Sequence, residues 1–121
     1  MEKKTTPVVK IFLAAEGGRG SPFCGPGMVK LLEYIHETGN VRSACETMGM
    51  SYSKGWKLLR ALETYLEYPV TVRQQGGKGG GEAHLTKQGE SFLKRYKAFE
   101  TESRETILKL FGKHYGGGTV V

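Results

Sequence analysis

Residues 41–58 read Val41-Arg42-Ser43-Ala44-Cys45-Glu46-Thr47-Met48-Gly49-Met50-Ser51-Tyr52-Ser53-Lys54-Gly55-Trp56-Lys57-Leu58. Val41, Ala44, Cys45 and Met48 fall at helical spacing, and Gly49 then interrupts the pattern. Asn40 before this run and Ser51 after the break are both good N-caps, because their side-chain oxygens accept from the unpaired N–H groups of a first helical turn. Two helices joined by a tight turn follow, with small Ala44 and Cys45 where they approach and Met48 and Met50 flanking the glycine. This is the spacing of a helix-turn-helix, whose second helix offers its N-terminal turn to base edges. That turn carries Ser51, Tyr52, Ser53, Lys54 and Lys57, donors suited to phosphates and guanine edges. Taken alone, the same residues also fit a plain helical hairpin with a solvated polar face.

Working outward, the second of these helices extends to Tyr65 or Leu66, with Gly55, Trp56, Leu59 and Leu62 along one side and Ser53, Lys57, Arg60 and Thr64 on another. Trp56 shares its face with Leu59 and reads as a core anchor. Upstream, Gly25-Pro26-Gly27 opens a helix with Pro26 in its first turn, Met28, Leu31, Leu32 and Ile35 as its apolar face, and Thr38-Gly39 as its stop. The apolar stretch 8–15 is expected to be a strand, and the glycine-rich 16–27 a loop. Downstream, 70–75 and 82–85 predict a β-hairpin around Gly76-Gly77-Lys78-Gly79-Gly80-Gly81. Such a hairpin makes a wing, with Arg73 and Lys78 supplying charge and glycine permitting close approach to a phosphate. A nucleotide-binding loop would need Ser or Thr after the lysine and a helix after the glycines, and neither is present.

The 121 residues allow one modest core, and the hydrophobic content of 38% with 25% charged residues is an ordinary globular mix. A net charge of +6 favours polyanionic partners. No apolar run reaches the length of a membrane span and no secretory signal is read at the N-terminus, so the expected location is the cytoplasm and no membrane partner is expected. Cys24 and Cys45 are far apart, and with His36, His84 and His114 they form no metal-ligand spacing; no cofactor, disulfide or metal is expected. Glu16, Glu33 and the other carboxylates form no catalytic pair, and no nucleophile–base arrangement argues for an enzyme.

Thr86 can cap a final helix over about 86–112, roughly 39 Å long at ~1.5 Å per residue and longer than the core requires. Phe92, Tyr96, Phe99, Ser103, Thr106 and Leu110 recur along it at alternating steps of four and three, an impure coiled-coil seam with Ile107 beside it. Phe92, Tyr96, Phe99, Ser103, Ile107 and Leu110 are therefore the expected homodimer interface. A helix that closes the core with Phe92, Leu93 and Tyr96 and is otherwise solvated is the alternative. Residues 1–113 are taken as one domain and 114–121 as a flexible tail. The expected fold is mainly α with a small β-hairpin: a winged helix-turn-helix with an N-terminal strand and a long C-terminal dimerisation helix.

Residues from about Pro26 to Glu100 resemble the N-terminal domain of ModE-type molybdate-responsive transcription regulators, which are akin to LysR-type winged helices. The resemblance lies in Gly25-Pro26-Gly27 before Leu31-Leu32, in Thr38-Gly39-Asn40-Val41, in Ser43 through Tyr52 with Trp56, in Gly76 through Gly81, and in Leu85-Thr86 with Gly89. Where this chain has Cys45 and Gly55 the family often has alanine. The family's C-terminal molybdate-binding domains have no counterpart after Phe111, so the resemblance implies the DNA-binding half alone, with tight molybdate binding not expected. It implies a regulator that binds a partly palindromic operator in double-stranded DNA as a homodimer, in molybdate transport or molybdenum metabolism, with a separate effector-binding protein as a further partner. The residues expected to meet DNA are Arg42, Ser43, Ser51, Tyr52, Ser53, Lys54, Lys57, Arg60, Arg73, Lys78 and Lys87. Competing functions are a small oxyanion-binding protein without DNA and an accessory partner of a full-length regulator. The first gives the basic face no role, and the second requires mixed dimers through the last helix.

Overall fold

The computed structural model describes residues 3–17, 20–74, 80–116 and 119–120. In chain order the elements are β1 (Lys3–Lys4), α1 (Pro26–Thr38), α2 (Val41–Met48), α3 (Tyr52–Leu66), β2 (Thr71–Arg73), β3 (Ala83–Leu85), α4 (Lys87–Tyr115) and β4 (Thr119–Val120). The helix boundaries follow local chemistry. Pro26 opens α1, where a missing N–H costs nothing, and Gly39 closes it at φ 67° with its N–H on the Ile35 carbonyl. The Asn40 side chain accepts from Ser43 N at 2.9 Å to start α2, and Gly49 ends it at φ 71°. Ser51 Oγ accepts from Lys54 N at 3.1 Å to start α3. No glycine stops α3; Glu67 takes the left-handed conformation instead, at φ 63°.

The core lies among the three short helices, the hairpin and the first half of α4. Leu31, Leu32 and Ile35 of α1, Val41, Ala44 and Cys45 of α2, and Trp56, Leu59 and Leu62 of α3 are buried together with Val70, Leu85 and Leu93. Each large aliphatic side chain withdrawn from water contributes roughly 1.5–3 kcal/mol. Glu63 ties the end of α3 to the hairpin: its carboxylate accepts from Val70 N at 2.8 Å and from Thr71 N at 3.2 Å. Thr86 joins the hairpin to α4 by accepting from Gly89 N at 2.9 Å and donating to the Pro69 carbonyl at 2.7 Å. A Cβ at Gly89 would lie 3.0 Å from the Val70 carbonyl carbon, so only glycine allows this approach.

β2 and β3 pair antiparallel in the register Thr71↔Leu85, Val72↔His84 and Arg73↔Ala83. The α1–α2 turn lies along the returning strand: Val41 N donates to the Gly81 carbonyl at 2.7 Å and Ala83 N to the Gly39 carbonyl at 3.1 Å. Asn40, already the cap of α2, also donates from Nδ2 to the Gly80 carbonyl at 3.3 Å.

The expected strand at 8–15 is corrected. Only Leu13 forms a bridge there, to Cys24, and the N-terminal strand is Lys3–Lys4, paired with Thr119–Val120. The apolar stretch does feed the core in part, since Ile11 and Leu13 pack on it while Val8 is 81% exposed. Residues 8–12 nevertheless pair with no strand among the described residues, and the Tyr96 hydroxyl donates to the Ile11 carbonyl at 2.5 Å to hold the segment. The last helix runs to Tyr115, past the expected end near 112. No helix among the described residues is long and apolar enough to cross a membrane.

Candidate nucleic-acid interface

The turn at Gly49 brings the first turn of α3 to the surface, and the serine cap fixes its start. Ser51, Ser53, Lys54, Lys57 and Arg60 are all exposed, and Tyr52 is half-buried. Ser51, Ser53, Lys54, Lys57 and Leu58 line one depression of about 500 Å³. Tyr52, Ser53, Trp56, Lys57, Arg60 and Arg73 line a second of about 430 Å³, which shares Ser53 and Lys57 with the first. The ion pairs among the described residues are Lys97–Glu33 at 2.9 Å and Arg104–Glu100 at 3.6 Å, so the cations of this face carry no carboxylate partner there. An unneutralised cluster of ammonium and guanidinium groups on a convex helix end can displace counterions from a polyanion.

Arg42 and Ser43 stand exposed on the first turn of α2, Arg73 on β2, and Lys87 at the start of α4. Lys78 lies outside the described residues. The structure thus brings Arg42, Tyr52, Ser53, Lys54, Lys57, Arg60 and Arg73 around one helix end. Sequence reasoning missed how two of them are held. The Arg42 guanidinium carbon sits 4.0 Å from the centroid of the Tyr52 ring, and that of Arg73 sits 4.1 Å from the Trp56 ring. Trp56 is 8% exposed, as a core anchor should be, yet it presents a face to Arg73, and its buried Nε1 has no hydrogen-bond partner among the described residues. No periodicity links positions 42 and 52 or 56 and 73, so nothing in the sequence announced these contacts.

Of the seam residues on α4, Tyr96 needs correcting. It is 3% exposed and belongs to the core of its own chain, where burial raises its hydroxyl pKa, with Cys24 and Glu100 adding to the rise. Phe92 and Ser103 are half-buried, as is Ile107, whereas Phe99 is 54% and Leu110 50% exposed. After Tyr96 no described residue of α4 is buried. Both cysteines are free and buried. No group of three or more His, Cys, Asp or Glu that could hold a metal occurs among the described residues.

The family described as bacterial regulatory helix-turn-helix protein, lysR family, matches residues 27–90. The transcriptional regulator ModE of Yersinia pestis is 36% identical over 93 residues, covering 70% of this chain and 35% of that protein. The molybdenum-pterin-binding protein MopB of Rhodobacter capsulatus is 38% identical over 76 residues, covering 63% of this chain and 28% of that protein. The chain thus spans about a third of the length of these relatives. Among solved structures, a CbnR_DBD–DNA complex superposes with a TM-score of 0.52 at 22% identity, over 65% of this chain and 86% of that one. That likeness is one of fold: a winged helix-turn-helix with four helices and a two-stranded hairpin.

Proposed function

Because the chain belongs to the lysR family of bacterial regulatory helix-turn-helix proteins, we propose that it is a transcription regulator that binds a partly palindromic operator as a homodimer. One observation carries this reading: Ser53, Lys54 and Lys57 stand exposed on a capped, glycine-released helix end, and neither lysine is in an ion pair among the described residues. In this reading α3 enters the major groove and these side chains meet base edges. Arg42, Ser43 and Ser51 on one side, with Arg60, Arg73 and Lys87 on the other, meet backbone phosphates and set the register, and Lys78 adds a further phosphate contact.

The exposed apolar side chains of α4 support the homodimer, since a projecting helix with Phe99, Leu108 and Leu110 in water gains by covering them with a second copy. The name of the Rhodobacter relative, a molybdenum-pterin-binding protein, supports a role in molybdate transport or molybdenum metabolism. Selection of bound duplexes from a random pool by the purified protein tests the reading. Enrichment of an inverted repeat is expected, and recovery of unenriched sequence would overturn it.

A further inference from the structure

Across the face that carries Ser53 and Lys57, four side chains form a row drawn from three elements. Arg42 of α2 lies on Tyr52, and Arg73 of β2 lies on Trp56. Tyr52 and Trp56 stand one turn apart on α3, with ring centroids 6.4 Å apart and an interplanar angle of 88°. The order is Arg42–Tyr52–Trp56–Arg73. We propose that Tyr52 and Trp56 are positioning residues, each ring holding one guanidinium flat at an edge of the reading helix, so that the two arginines clamp the backbone phosphates flanking the bases that α3 reads. The inference rests on the DNA-binding function proposed for this face and assigns to its aromatic residues a task other than base contact or core filling.

The chemistry suits the task. A guanidinium that stacks through its face keeps its N–H donors in the plane, pointed outward and free for two phosphate oxygens. A free arginine side chain loses rotamer freedom when it seizes a phosphate, and one already seated on a ring loses less. The base of the Arg42 side chain is packed against the returning arm of the wing: a Cβ at Gly81 would lie 2.9 Å from Arg42 Cβ and 3.2 Å from its backbone nitrogen. What Tyr52 offers Arg42 is its ring, 4.0 Å from the guanidinium carbon. Lysine at 42 or 73 would keep the charge and lose both the planar seat and the paired donors.

The test is a pair of double-mutant cycles read as affinity for the selected duplex. Tyr52→Leu is expected to weaken binding on the order of threefold to tenfold in the parent protein. The same change is expected to do almost nothing once Arg42→Ala is present, and Tyr52→Phe is expected to bind like the parent. Trp56 packs in the core, so its cycle uses Trp56→Phe against Arg73→Ala, paired with the emission of this sole tryptophan, which Arg73→Ala should alter in the unbound protein. Additive losses in the Tyr52 cycle, or a Tyr52→Phe variant as weak as Tyr52→Leu, would overturn the clamp. A parent protein that binds no duplex at all would instead overturn the DNA-binding function beneath it.

Discussion

Gly55 and Cys45 occupy one shared space: a Cβ at position 55 would overlap the Cys45 Sγ. As sequence, Gly55 inside α3 looks like a loss of roughly 0.5–1 kcal/mol against alanine. In the structure it is the vacancy into which the larger side chain of α2 fits, while its own N–H donates to the Ser51 carbonyl at 3.1 Å. The two positions are one packing unit at the crossing of the helix pair.

Gly55→Ala alone is therefore expected to destabilise the protein by about 1–2 kcal/mol despite the better helix propensity. Adding Cys45→Ala removes the clash, and the double variant should regain parent stability or exceed it. Urea denaturation of the four proteins measures the coupling. A single Gly55→Ala variant more stable than the parent would show that the helices can part freely.

Lys54→Ala and Lys57→Ala should each cost on the order of 1–3 kcal/mol in binding the selected duplex if the contact is to a base edge. The sequence preference should relax at the position read. Unchanged affinity and preference in both variants would place some other surface in the groove.

Salt dependence counts the phosphates. If Arg42, Arg73, Lys78 and Lys87 of each subunit neutralise about one each, log K should fall against log salt with a slope of about −7. Lys78→Ala should flatten that slope by about 2 while leaving the preferred sequence alone. A slope near zero would exclude a phosphate footprint.

On α4, Phe99→Glu combined with Leu110→Glu should give a monomer with unchanged helical content, because both side chains are at least half exposed within the chain. Sedimentation of parent and variant decides it. Equal masses would mean that this face is not where two copies meet.

Burial pushes the Cys24 thiol up from 9.0 to about 11. Folding thus favours the protonated thiol, so its contribution to stability is complete below about pH 9 and falls away as the pH rises toward 11. Cys45 and Tyr96 are shifted in the same direction, so stability should decline in alkali. Cys24→Ala should make that decline shallower whatever it does to the starting stability. An identical slope in parent and variant would contradict the account.

The helical frame was legible because its punctuation is local. Asn40, Gly49, Ser51 and Thr86 each declare a boundary within three residues of where they act. What sequence could not supply is contact between elements. Residues 8–15 have a strand's apolar, β-branched composition, yet only Leu13 among them finds a bridge, to Cys24. Glu63 looks like a solvated helix residue, yet it fastens the hairpin, and the seats of Arg42 and Arg73 join positions with no common period. At the candidate site the cations were readable one by one, and the aromatic supports beneath them were not. Tyr96 fitted a seam by spacing alone, while the Ile11 carbonyl decided where its side chain goes.

Asn40 grips two things with one amide: its oxygen holds the start of α2 and its nitrogen holds the returning arm of the wing. The consequence concerns how such a protein can change by exchange of parts. A recombinant that imports a foreign wing inherits a misaligned helix pair unless the turn at 39–41 comes with it, and a foreign helix pair disturbs the wing in the same way. The turn at 39–41 and the arm at 80–83 should thus be inherited together, and homologous variation in them should arrive in linked blocks.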